Sequence, residues 1–215
     1  MHIAGLLRAT LTALLYLGVI ASAAVAGPLE DADAADEQGD YDTALRLLLP
    51  LAQQGNRIAQ KRMGDFYASG RGVPKDYSES EKWFRQAAAQ NDLDAQWNIG
   101  NIYQLGRGGI PKDFAEAKKW YLSAANQGHI QSQMSLASAY SEADGVDRDL
   151  HEAAKWFLRA ANQGDAIAQL RLGIMYEIGQ GAGLCAGTHV AELISLKYLT
   201  SGGYRSVRSC HERHF

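Results

Sequence analysis

No cysteine occurs before Cys185, and only one more follows it, Cys210. The body of the chain is therefore not stapled by disulfides, whatever the redox conditions around it. Proline is scarce, 4 residues against 22 glycines, and the glycines fall at fixed intervals, which fits repeated turns and not disorder. Neither sign of charge dominates: the formal charge is −3, with acids and bases interspersed, so there is no electrostatic footprint for nucleic acid. Long hydrophobic runs are missing as well. The one apolar run, Leu11 to Ala21, is short for a membrane-spanning helix of roughly 20 residues.

That run belongs to a distinct beginning. His2 and Arg8 precede it and small residues ending Ala24-Val25-Ala26 follow, the order of a secretory signal peptide over residues 1–26 with a cut after Ala26. An uncleaved anchor is the competing reading, disfavoured by the length of the run. No cysteine follows it, which argues against a lipid anchor. Cleavage would remove Arg8 and leave 20 bases against 24 acids in an exported, periplasmic or secreted protein with no stable membrane insertion.

What is present is periodicity. Gln60, Gln96, Gln133 and Gln169 head equivalent segments 36, 37 and 36 residues apart, and Trp83, Trp120 and Trp156 recur at 37 and 36. The extra residue in the middle copy is Gly109, in a turn. Each copy reads as two amphipathic helices around a Gly/Pro linker, and self-similarity at this period means an all-α solenoid of helix pairs. The expected units are 39–58, 59–94, 95–131, 132–167 and a partial 168–181. In the first full copy, helices are expected near Arg57–Ser69 and Tyr77–Ala89. Between them Gly70 and Gly72 supply positive φ, Pro74 stops the first helix and Asp76 caps the second. The third copy, with Asp144-Gly145-Val146-Asp147 in its linker, lacks one glycine and the proline, which predicts a looser turn.

Residues 27–38, acidic and Ala-rich, read as a mobile lead-in, with Asp31 to Gln38 offering a short N-terminal cap. Asp40 to Gly55 reads as the second helix of a unit whose first half is missing or cut to one turn, and Pro50 is expected to bend it. Gly64, Gly100 and Gly173, with Ala137 in the third copy, sit mid-helix, where glycine costs ~1 kcal/mol relative to alanine. That loss is explained if a neighbouring helix passes too close for a Cβ. Tyr67, Tyr103, Tyr140 and Tyr176 three residues on form a core stripe, and the three tryptophans supply the bulk of the second helices.

The pattern Ala-Gln-x-x-(small apolar)-Gly-x-x-Tyr, Gly-x-Gly-Val-Pro-x-Asp, Ala-x-x-Trp-(Tyr/Phe)-x-x-Ala-Ala-x-Gln-Gly resembles the Sel-one-like repeat (SLR), a relative of the tetratricopeptide repeat. Three complete and two partial copies carry it, over roughly 40–181. The resemblance implies a right-handed α/α solenoid that binds proteins, and exported bacterial members resemble regulators or host-interaction factors. By analogy with tetratricopeptide repeats, first helices line a concave surface. The protein-binding positions are then Lys61, Asp65, Trp97, Asn101, Gln104, Met134, Ser138 and Glu142, continued by Leu170, Ile174 and Glu177. Trp97 is the candidate anchor for an extended peptide or partner helix; the alternative is that it packs between repeats. Cysteine-rich relatives described as β-lactamase-like suggest an enzyme, but those carry paired cysteines in each repeat and this chain does not. A cell-envelope structural scaffold is the other alternative.

No catalytic residue is expected. His129 and His151 fall near helix starts with no Ser or Cys partner at a defined spacing, and Glu79, Glu116 and Glu152 recur at one repeat position as solvated or inter-repeat carboxylates. No cofactor is expected either. Past Gly181 the pattern stops, and residues 182–215 form an aberrant tail. It reads as a divergent cap with Val190 to Leu199 as a covering helix, or as a shifted reading frame, which a break inside the turn favours. Cys185, His189, Cys210, His211 and His214 match no zinc-finger spacing, so no metal site is expected; a Cys185–Cys210 disulfide formed after export ranks above a metal, and unpaired disorder ranks above both.

Overall fold

The computed structural model describes residues 27–177. The expected signal peptide and the tail, with its cysteines and histidines, lie outside the described residues, as do the side chains of Tyr176 and Glu177. All regular structure among the described residues is helical: α1 Pro28–Glu37, α2 Tyr41–Gln53, α3 Arg57–Ser69, α4 Tyr77–Ala89, α5 Leu93–Leu105, α6 Phe114–Ala125, α7 Ile130–Glu142, α8 Leu150–Asn162 and α9 Ala166–Glu177. The extensive packing is between helices consecutive in sequence, the signature of a stacked array.

The helix starts follow from side-chain chemistry. Asp40, Asn56, Asp76, Asp92, Asp113 and Asp149 each accept a backbone N–H of the first turn, so donors that the helix leaves unpaired are satisfied at about 1 kcal/mol per cap. Helix α2 runs through Pro50 to Gln53.

Residues 28–37 are not a lead-in. They form α1, the first helix of a complete pair with α2, so the unit beginning at Asp40 is not missing its first half. Ala32 and Ala35 are buried against α2 and α3, and Asp33 and Asp36 are paired with Arg62 and Arg71 from the next module. Sequence periodicity misses this helix because its buried face consists of alanines, with no aromatic to mark it.

The mid-helix glycines have the predicted cause, though the close neighbour is a side chain and not a backbone. A Cβ on Gly64 would lie 2.5 Å from the ring of Phe84, and one on Gly100 would lie 2.4 Å from that of Tyr121. Phe84, Tyr121 and Phe157 fill the space within each module, and Ala137 is tolerated in the third. This corrects the role given to the tryptophans. Trp83 and Trp120 are half-buried and pack at the edge of clusters drawn from their own module's first helix and from the module before it; only Trp156 is buried outright. Tyr67, Tyr103 and Tyr140 pack against these clusters as expected.

The joints rest on the linkers. Gly70 and Gly106 close α3 and α5 in the left-handed region, φ 76° and 62°, and Ala143 adopts the same conformation at φ 59° where the third linker has no glycine. The next linker glycine seats on the preceding module: a Cβ on Gly72, Gly108 or Gly145 would come within 2.7, 2.7 or 2.4 Å of the Cβ of Tyr41, Tyr77 or Phe114. Gly109, the inserted residue, has nothing within 4 Å of its Cβ position.

The repeating glutamines serve the joints too. Gln60, Gln133 and Gln169 donate from Nε2 to the carbonyls of Ala52, Ala125 and Ala161, which end the preceding helices. The Oε1 atoms of Gln60 and Gln133 accept from Gln90 and Gln163 at 2.7 and 2.9 Å. In the middle module the corresponding acceptor, Gln96 Oε1, is buried without a partner. Its counterpart donor, Gln127, is instead engaged with Asn91 at 2.7 Å and the Ser123 carbonyl. Asn91, at φ 64°, occupies a turn position held by glycine in the equivalent Gly55, Gly128 and Gly164. Asn91→Gly should therefore release Gln127 to Gln96 and stabilise the chain by about 1 kcal/mol. Ala143→Gly should gain up to about 1 kcal/mol by removing a left-handed alanine. Both gains would be read as raised urea midpoints, and a fall in either midpoint would refute its account.

Candidate functional site

Lys61, Trp97 and Met134, and likewise Asp65, Asn101 and Ser138, stand at equivalent register positions on the first helices α3, α5 and α7, with Gln104 and Glu142 further along α5 and α7, but they are not a row of free contacts. Lys61 and Asp65 form an ion pair at 2.8 Å on α3. Burial pushes the Asp65 carboxyl above its ordinary range, with Lys61 acting in the opposite direction. Asn101 and Gln104 are held from beneath: the Tyr121 hydroxyl lies 2.8 Å from Asn101 Oδ1 and 2.7 Å from Gln104 Oε1. The hydroxyl donates one proton, so it serves one acceptor fully at a time, or one amide turns its NH₂ toward it. Gln104 also donates to Asp144 at 2.7 Å, and Lys112 bonds the other oxygen of Asp144. Lys112 first, then Gln104, hold the Asp144 carboxyl below its usual range.

Trp97 does two things. Its indole N–H donates to Ser135 on α7 at 3.0 Å and its ring lies 6.4 Å from that of His129, so it bridges two modules. Its ring also lines a pocket of about 300 Å³ with Ala68, Tyr77, Phe84, Asn98, Asn101, Leu105 and Arg107. Met134 is half-buried against the core that Trp97 joins; Ser138 is half-buried and Glu142 exposed. Leu170 and Ile174 on α9 are 45% and 44% exposed.

Of the pocket's lining, the sequence reading named Trp97 and Asn101 and missed the rest. Tyr77 and Arg107 lie at a helix start and in a linker. Their pairing follows from the seating of Gly108 on Tyr77, which the Gly-x-Gly spacing alone does not disclose.

One constellation resembles catalytic machinery. His129 Nδ1 lies 2.9 Å from Ser132 Oγ and Nε2 lies 2.9 Å from Asp94 Oδ1, so the histidine does have the hydroxyl partner its sequence surroundings did not reveal. Ser132 is fully buried, and the Ser132 backbone N–H also points at Nδ1. This is the cap of α7, with histidine standing where Asn56 and Asp92 cap their helices, and no substrate atom can reach the hydroxyl. Among the described residues no cluster of three or more His, Cys, Asp or Glu could hold a metal ion.

Comparison with known proteins agrees with the helical architecture. A Sel1 repeat protein from Oxalobacter formigenes matches with a TM-score of 0.65 at 30% identity, covering 79% of this chain and 70% of its own. The protein c5321, a protective antigen present in uropathogenic Escherichia coli strains and displaying an SLR fold, gives 0.66 at 32% identity, over 86% of this chain and 41% of its own. In sequence, the chain is 31% and 30% identical over 68 residues to two Arabidopsis thaliana proteins, the ERAD-associated E3 ubiquitin-protein ligase components HRD3B and HRD3A. That stretch is 32% of this chain and only 11% and 10% of theirs, so it spans about a tenth of the length of these relatives. The Sel1 repeat family model matches residues 57–92, 93–129, 130–165 and 166–184, unit by unit across the helix pairs described above. Matched over more than half its length, the chain belongs to the Sel1 repeat family.

Proposed function

We propose that this protein is a non-enzymatic adaptor, exported to the periplasm or beyond, that holds a protein or peptide segment on the face built by its first helices. The observation that carries the reading is the pocket between α3 and α5: an apolar hollow of about 300 Å³ with amide side chains at its edge, built where two modules meet. Such a site suits an extended chain with one anchoring side chain. Asn101 and Gln104 are fixed by Tyr121, so they need little ordering when a guest binds. The family relationship supports the class, since two relatives are named as components of a larger ligase assembly. Export rests on the order of residues in 1–26, and N-terminal sequencing of the protein made from the full chain should then begin at Gly27, one residue before α1.

Trp97→Ala is a poor test, because it would also cut the bridge to Ser135. Affinity capture with substitutions that leave the Trp97–Ser135 bond in place is cleaner. Ser138→Arg with Glu142→Lys should lose the partners that wild type recovers, whereas Lys119→Glu with Lys155→Glu, on second helices, should keep them. Equal recovery by the two double variants would remove the first-helix face as the binding site.

A further inference from the structure

Two cations without an acid partner among the described residues stand against Tyr77, which with Arg107 lines the α3–α5 pocket. Lys75 Nζ lies 5.1 Å and the Arg107 guanidinium 5.4 Å from the centre of the Tyr77 ring, and Arg107 donates to the Tyr77 hydroxyl at 2.9 Å. Among the described residues Lys75 and Arg107 lie within ion-pair distance of no carboxylate, as is true of Arg46, Lys118, Arg148, Arg159 and Arg171; what distinguishes them is that both stand against one aromatic ring of the pocket lining. Burial pushes the Tyr77 hydroxyl up, yet Lys75 and Arg107 outweigh it and hold the group below the ordinary tyrosine range. The pocket is thus locally positive beside Tyr77 on a chain of net charge −3, so an acidic guest is selected by this spot and not by the protein's overall field. The lining also offers apolar surface from Ala68, Phe84, Ile102 and the 52% exposed Leu105, beside the amides of Asn98 and Asn101.

We infer that the pocket takes an acidic peptide segment, a large apolar side chain seated between α3 and α5 with an adjacent carboxylate on Arg107 and Lys75. This deepens the adaptor reading and rests on it. The aromatic-to-cation arrangement gives the guanidinium a fixed position before the guest arrives, which makes an acid beside the apolar residue worth more than one elsewhere in the segment.

The test is calorimetric titration of the full chain with four probes: an acetylated, amidated Gly-Phe-Asp-Glu-Gly peptide, its Gly-Phe-Lys-Lys-Gly and Gly-Ala-Asp-Glu-Gly counterparts, and decanoate. The first peptide should bind, and the second and third about tenfold more weakly. Arg107→Glu, at an exposed linker position, should weaken the acidic peptide about tenfold and bring the dilysine peptide to comparable or better affinity. Leu105→Asn should weaken both Phe peptides. Equal binding of the acidic and dilysine peptides to wild type, no binding by any peptide, or an Arg107→Glu variant that binds like wild type would each overturn the inference. Decanoate binding while the peptides stay silent would overturn it in favour of a free amphiphile. Loss of charge preference with the capture result intact removes only the acidic ligand; equal capture by both double variants removes the adaptor reading beneath it.

Discussion

Tyr121→Ala is expected to destabilise the array by about 3–5 kcal/mol. The ring is fully buried, fills the middle of its module and lies against Gly100, where no Cβ could stand beside it. Alanine would leave a void bounded by a glycine on one side, so the facing helix has no side chain with which to refill it. The position belongs to a series with Phe84 and Phe157, which gives an internal control. Tyr121→Phe keeps the ring and should cost only about 1 kcal/mol, the worth of the hydroxyl's bonds to Asn101 and Gln104. Urea unfolding followed by far-UV circular dichroism separates the two. An alanine variant losing less than about 1 kcal/mol would mean that the modules do not depend on this aromatic.

Gly145→Ala should cost about 3 kcal/mol through two causes that add at one atom. The residue holds φ 79°, a region that costs an L side chain about 1–2 kcal/mol, and the new methyl would arrive 2.4 Å from Phe114 Cβ, a group tied to its helix backbone. Gly109→Ala isolates the first cause, since φ is 82° but nothing lies within 4 Å. It should cost about 1 kcal/mol. If the two variants unfold at the same urea concentration, the contact with Phe114 contributes nothing.

The modules were legible because an aromatic, a mid-helix small residue and a linker glycine recur in register, and each recurrence has a steric cause visible at Gly100 and Gly145. Where a helix lacks such markers it was not legible: α1 is held by two buried alanines and by arginines from a later module, a dependence that lies in space and not in the segment's own pattern. The assignment of second-helix bulk to Trp120 with no role given to Tyr121 has a similar origin. Adjacent residues differ by about 100° around a helix, and periodicity alone does not say which of two neighbouring aromatics faces the glycine. For the candidate site, register arguments located Trp97 and Asn101, since both sit on a helix face. Arg107 and Tyr77 escaped because they meet only when a linker folds back on the module before it.

The restriction of extensive helix packing to sequence neighbours has a kinetic consequence. Each docking event closes only a short stretch of chain, so contact order is low and the entropy lost per step is small. Molecules whose prolyl bonds are already trans should refold from denaturant within milliseconds, and an amino-terminal pair such as α1–α2 can assemble during synthesis before the last helices exist.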